Sequence, residues 1–194
     1  MADGEDSMAV TLRRRRFTLD EYHRMGETGI LAKGDRVELI EGEIIEMSPI
    51  GSRHAGTVAR IHHLFSIRLL DQAVVWSQNP LLLVQHQSEP EPDVMLLAPR
   101  ADFYSGGLPE PPDVRLLVEV AESSLLYDRR TKFPLYARSG VAEAWLVDLD
   151  SGRLEIHRGA GGAGYRDVRV LRADEMFSPV AFPDLTLTLR DLIG

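Results

Sequence analysis

The sequence predicts an α/β domain, and three observations carry that expectation. Short apolar runs at 93–97, 116–120 and 142–148 have the composition of buried strands. Between them lie stretches with helical spacing and terminal signals, from Thr18 and from Ser52. Turn residues punctuate the rest at strand-like intervals. With 194 residues, 44% of them apolar, the chain has the length of one domain and enough material for a sizeable core. Residues 1–16 are expected to be a flexible N-terminal arm and residues 17–194 a single domain.

The arm ends in the basic run Arg13–Arg16, which is either solvated or contacts phosphate. Thr18 and Glu21 have the spacing of a capping box, predicting a helix that ends near Gly29, with Phe17 stapled against Tyr22. Arg36–Ile40 and Glu43–Met47 read as a hairpin turning at Glu41-Gly42, with Ile40 opposite Glu43 and Glu38 opposite Ile45. Glu38 then shares a face with Ile40, Ile45 and Met47, while Glu46 shares the other with Val37, Leu39 and Ile44, so parity leaves open which glutamate points inward.

Ser52 is expected to cap a second helix running to about Leu70. Strands are expected at Val74–Trp76, Leu81–Gln85 and Asp93–Leu97. The Pro- and Gly-rich connection that follows, to about residue 113, is long enough to be either a substrate-contacting lid or a disordered insertion. After Leu116–Val120, a helix runs from about Ser124 to Ser139, stopped by Gly140. Pro134 kinks it unless it begins late, which would place Lys132 in its first turn. Strands then follow at Ala142–Asp148, Arg153–Arg158 and Arg166–Val170. The glycine run Gly159–Gly164 joins two strands and opens no helix, so it is a hairpin loop and no dinucleotide fingerprint. The C-terminal segment reads as a cover without chemistry. Trp76 and Trp145 read as core.

The chemistry centres on Asp93 and Glu119. Each interrupts a buried-strand run, where an ionised carboxylate costs on the order of several kcal/mol unless paired. Two such acids facing one point form an oxygen site for a hard divalent cation, with a lysine to hold water or an anionic oxygen. They form equally well a buried ion-pair network in which Lys132 neutralises both. Lys33 and Lys132 are the only lysines in an otherwise arginine-based cation set. A lysine kept in that setting is a candidate for work that a guanidinium cannot do. His54, in the first turn of the second helix, is either an ordinary hydrogen-bonded residue or lines the site and contacts phosphate or water. His62 and His63 are adjacent, face different ways and read as structural.

Paired acids also serve glycoside hydrolysis, but nothing else in the chain points to sugar binding. The absence of cysteine excludes disulfides and thiolate metal sites. The net charge of −8 disfavours wholesale adhesion to nucleic acid, without excluding a site where carboxylates gather around an ion. No apolar run reaches the roughly 20 residues of a membrane helix, and the N-terminus lacks a signal peptide's apolar core; a cytoplasmic protein without membrane association is expected.

The order Pro92-Asp93, Glu119 on the next long apolar strand, then Lys132 resembles the PD-(D/E)xK nuclease superfamily. More closely, "RVELIEGEIIEMSP", "EPDVMLL", "LLVEVAESS" and "KFPLYARSGVAEAWLVD" together look like the family of small bacterial proteins described as putative restriction endonucleases. The resemblance runs from about Phe17 to the C-terminus. It implies a restriction-endonuclease-like core, with a central mixed β-sheet flanked by helices, and a metal-dependent DNA endonuclease that hydrolyses phosphodiester bonds. It favours Glu38 as the third acidic site residue. Asp93, Glu119, Glu38 and the backbone carbonyl of Val120 would be the metal ligands. The ion would be Mg2+, with Mn2+ able to substitute, since every ligand is a hard oxygen. One departure from the superfamily pattern is Ala121, two residues after Glu119, where the motif puts lysine. The resemblance implies that Lys132 supplies the amine instead, to orient or deprotonate the attacking water or to neutralise developing charge. DNA is the expected partner, and a homodimer is compatible. The alternative from another class is a catalytically inactive nuclease-fold module that binds nucleic acid or a protein.

Overall fold

A computed structural model describes residues 14–194. Most of the expected flexible arm, with Arg13, therefore lies outside the described residues. The two arginines nearest the first helix turn back onto the protein: Arg15 pairs with Glu21, and Arg16 Nη1 donates to the Glu41 carbonyl at 2.8 Å.

Helix α1 (Leu19–Glu27) opens with the expected capping box. The Glu21 N–H donates to Thr18 Oγ1 at 3.2 Å, and the Thr18 N–H donates to Glu21 Oε2 at 3.0 Å. Strands β1 (Val37–Ile40) and β2 (Glu43–Glu46) pair in the register read from the sequence, Glu38 opposite Ile45 and Ile40 opposite Glu43. Glu41 and Gly42 have φ of 49° and 79°, as the tight hairpin turn requires. A Cβ at Gly42 would also stand 2.8 Å from the Phe17 carbonyl oxygen, so only glycine fits there. Helix α2 (Ser52–Leu69) follows, but its N-cap is Gly51 and not Ser52. Ser52 already has helical geometry, so its hydroxyl is one residue too late to cap.

Six strands form the central mixed sheet. In order across it these are β3 (Val74–Trp76), β4 (Val94–Leu97), β5 (Val114–Ala121), β6 (Glu143–Asp148), β7 (Arg153–Arg158) and β8 (Asp167–Leu171). Only β5 and β6 run parallel; every other neighbouring pair is antiparallel. Residues 81–85 are not a strand. Leu81 and Leu83 are buried, yet their N–H groups bond locally to the Pro90 and Ser88 carbonyls before a tight turn at Val84–His86. The apolar run at 81–84 records burial without a sheet ladder, an ambiguity inherent to short apolar runs.

The segment after β5 is helical but not regular. A short turn α3 (Leu125–Tyr127) leads into a π turn at Asp128–Lys132, followed by α4 (Phe133–Ser139). Pro134 has no N–H to offer the Arg130 carbonyl, and its ring would clash with that carbonyl in an α-helix. Widening the preceding turn, so that the Phe133 N–H reaches the Asp128 carbonyl, accommodates it without a break. Gly140, at φ 91°, ends the helix as expected.

The sheet is packed on both faces. Val94 and Leu96 of β4, Leu116, Val118 and Val120 of β5, and Trp145 and Val147 of β6 pack with Val58, Ile61 and Phe65 of α2. The C-terminal β9 (Met176–Phe177), β10 (Leu187–Thr188) and α5 (Leu189–Ile193) close this core as a cover. Met95, Leu97, Leu117, Ala144 and Leu146 point to the other face, against Phe133, Leu135 and Tyr136 of α4. Asp93 and Glu119 share the parity of this second set, so strand alternation sends both acids to the α4 side. The 98–113 connection is neither lid nor disordered insertion. It joins the far ends of β4 and β5, away from both acids, and is tied by Arg100 to Asp102 at 2.5 Å and by Tyr104 OH to the Ala98 carbonyl at 2.8 Å.

Candidate active site

Where β4 begins and β5 ends, a cleft of about 350 Å³ opens on the α4 side of the sheet. Glu38 reaches it from β1, His54 from the first turn of α2, Asp93 from just before β4, Glu119 from β5 and Lys132 from the π turn. Four of the five are almost wholly buried, at 2%, 9%, 3% and 5% exposure for Glu38, Asp93, Glu119 and Lys132. Glu46, the rival on the hairpin, is exposed.

Lys132 Nζ lies 2.7 Å from Glu119 Oε1 and 3.4 Å from Glu38 Oε2. Tyr136 OH donates to Glu119 Oε1 at 2.6 Å, and Tyr127 OH to Glu38 Oε1 at 3.3 Å. The Asp93 N–H donates to Glu119 Oε2 at a long 3.4 Å. Asp93 Oδ2 accepts from the Val120 N–H at 2.8 Å and stands 3.1 Å from His54 Nε2. Val120 thus reaches Asp93 through its main-chain N–H, a group separate from the carbonyl expected to face the ion. His54 Nδ1 is buried without a hydrogen-bond partner among the described residues.

The electrostatics follow from this crowding. Burial, reinforced by Asp93 and Asp128, pushes the Glu119 carboxyl up to about 8 despite Lys132. Burial also raises Asp128 and Glu91, the latter with Glu38 beside it. Burial draws the Lys132 ammonium down, but Glu119, Glu38 and Asp128 outweigh it and hold the group well above its usual value. Lys132 therefore stays an ammonium among these carboxylates. The hydrogen bond to Asp93 raises His54. Tyr136 and Tyr127 are raised by burial and stay neutral donors.

Glu91, Asp128, Tyr127 and Tyr136 were not singled out from the sequence. Asp128 and Tyr136 stand four residues either side of Lys132, the spacing of one helix face, and Glu91 has the parity of Asp93. Those signals were present but not specific.

Among the described residues, no three Asp, Glu or His side chains stand in an arrangement that encloses an ion directly. The Lys132 ammonium sits among the carboxylates instead. The donor set nevertheless fits a hard divalent cation. All its side-chain atoms are oxygens, Glu119 is short of compensating charge, and Asp93 Oδ1 accepts no hydrogen bond among the described residues. Also among the described residues, no helix is long and apolar enough to cross a membrane.

The mixed sheet with its acid-and-lysine cleft defines a restriction-endonuclease-like α/β fold. The chain belongs to the Uma2 family, described as "Putative restriction endonuclease", which it matches over residues 19–190. Among solved structures it is similar to a crystal structure of "a putative nuclease belonging to DUF820" from Anabaena variabilis. The TM-score is 0.69 at 16% sequence identity, over 91% of this chain and 97% of that one. No curated protein matches.

Proposed function

We propose that the chain is a metal-dependent DNA endonuclease acting through Asp93, Glu119, Glu38, His54 and Lys132. The observation that carries this reading is the convergence of Asp93 and Glu119 on one sheet face with the Lys132 ammonium 2.7 Å from Glu119. Membership of a family described as "Putative restriction endonuclease" supports it.

Asp93 and Glu119 would hold the divalent ion, with Glu38 completing the set directly or through water. When bound there, Mg2+ would supply charge stabilisation at the non-bridging oxygens and activation of the attacking water. The protein's own contribution is placement. Lys132 holds positive charge where the phosphoryl oxygens gain negative charge, and its partners on Glu119 and Glu38 fix its position before substrate arrives. Tyr136 and Tyr127 orient the two carboxylates by donating to them. The Val120 N–H and His54 orient Asp93. His54 lines the cleft, and its Nδ1, buried without a hydrogen-bond partner among the described residues, would meet a water or a phosphate oxygen on a turn of its ring.

The test is nicking of supercoiled plasmid by the purified protein with millimolar Mg2+, beside Asp93→Asn. The reading predicts nicking by the wild type that chelator abolishes and that the variant lacks. Wild-type inactivity on DNA with Mg2+ and Mn2+ would overturn it in favour of a binding module.

A further inference from the structure

We propose that Arg36 is a substrate-binding residue that grips a phosphodiester group flanking the one to be cut. The ligand class rests on the nuclease reading above; the residue and its placement do not. The cleft is lined by carboxylates from β1, β2, β5, the π turn and the segment before β4, in a chain of net charge −8. A polyanion entering it meets repulsion, so positive charge must be supplied locally. Lys132, its side chain only 7% exposed and paired with Glu119 and Glu38, is placed for the reacting phosphate and does not extend to a neighbouring one.

Arg36 is differently placed. It lines the same cleft, is exposed, and makes no ion pair among the described residues. Its Nη1 donates to the Ser48 carbonyl at 2.7 Å, which positions the guanidinium without neutralising it. The other edge of the fork, Nε and Nη2, has no acceptor among the described residues and matches the paired oxygens of a phosphodiester. Ser48 belongs to the segment between β2 and α2, whose Met47, Pro49 and Ile50 also line the cleft, with Ile50 40% exposed. That wall therefore offers a cation for phosphate beside apolar surface for sugar or base.

The experiment compares wild type, Arg36→Gln and Arg36→Lys. Anisotropy of a fluorescein-labelled DNA duplex is followed across a salt series with Ca2+ present, and plasmid nicking is followed with Mg2+. Losing one phosphate contact should reduce the salt slope of Arg36→Gln by about one and weaken binding about tenfold at low salt. KM should rise by more than kcat falls. Arg36→Lys should recover the slope but not the full affinity, because an ammonium is a point charge without the fork. Melting curves should coincide, since the side chain is exposed. Wild-type slope and KM in Arg36→Gln would overturn the inference while leaving the nuclease reading intact. A lost slope in Arg36→Gln beside an inactive wild type would overturn the nuclease reading, and with it the scissile phosphate, while upholding Arg36 as a phosphodiester-binding residue. A wild type that neither binds nor cuts would overturn both.

Discussion

Glu119 and Glu143 lie on adjacent strands β5 and β6, are 3% and 2% exposed, and interrupt equally apolar runs. Their surroundings separate them. Glu143 shares the parity of Trp145, and its carboxylate is closed by donors on both oxygens. Trp145 Nε1 and Arg158 Nε each donate to Oε1 at 2.9 Å, Arg158 Nη2 donates at 2.8 Å, and the Val180 N–H donates to Oε2 at 2.6 Å. Glu119 has its two good donors, Lys132 and Tyr136, on a single oxygen, and only the 3.4 Å contact from the Asp93 N–H on the other. It also shares its lysine with Glu38 and opens onto a cleft lined by further acids. A buried acid that is saturated holds the fold together. One that is under-compensated beside a cavity is poised to take a cation.

The largest expected effect breaks the comparison on the rate. Lys132→Met should lower plasmid nicking by about 10²–10³, the scale for removing one preorganised stabiliser of transition-state charge. Lys132→Arg should restore charge without restoring turnover, because the planar guanidinium does not fit the ammonium's place between Glu119 and Glu38. If the methionine variant is folded and nicks at the wild-type rate, Lys132 has no part in the chemistry. Glu143→Ala should behave in the opposite way. It leaves Arg158 and the Trp145 and Val180 donors without their acceptor and should cost roughly 2–4 kcal/mol of stability in denaturant melts, while activity per folded molecule persists.

Next in size is the response to an ion. Millimolar Mg2+ should stabilise the wild type by about 1–3 kcal/mol, as expected for tens to a few hundred times the dissociation constant. Asp93→Asn should erase that gain and Glu143→Gln should leave it. A melting temperature that does not respond to Mg2+ in the wild type would put Glu119 in the same structural class as Glu143.

The comparison sharpens again with pH. Burial raises the folded carboxyl of Glu119 from 4.5 to about 8, so between those values the folded state binds more protons than the unfolded one. Stability without metal should therefore fall as pH rises from about 4.5 through about 8. Asp128 and Glu91 are raised too and add to the same slope. Lys132, raised above 10.5, stays charged throughout this window. Saturating Mg2+ should flatten the slope. Denaturation at stepped pH, with and without the ion, measures it, and stability rising over this window in the metal-free protein would contradict the assignment. The smallest effect is Tyr136→Phe, which removes one buried donor from Glu119 while Lys132 stays on the same oxygen, and should cost about 0.5–1.5 kcal/mol in denaturant melts.

The sequence made part of this legible. Asp93 and Glu119 stand out because ionised groups inside apolar strands need a physical reason, and alternation along β4 and β5 brings them to one face. Lys132 depended on its rarity and on the family resemblance, since no spacing rule ties a π turn to the end of a neighbouring strand. The hairpin register was readable from its turn, but both of its faces are apolar. Burial of Glu38 is decided from outside the hairpin, by Lys132, Tyr127 and the Glu91 N–H. The unlike characters of Glu119 and Glu143 were invisible, because Glu143 is neutralised from positions 15 and 37 residues away. The strand expected at 81–85 fails for a related reason: a run of leucines reports burial, while a strand also needs a continuous ladder, and here pairing is confined to the isolated Leu83–Ser88 bridge before the turn at Val84–His86.

Crystals soaked in Mn2+ and measured at an energy where manganese scatters anomalously test the central distinction most directly. The account predicts an anomalous peak between the Asp93 and Glu119 carboxylates, with Glu38 close by, and none at Glu143. A soaked crystal with no peak at Asp93 and Glu119, or with its peak at Glu143, would contradict it.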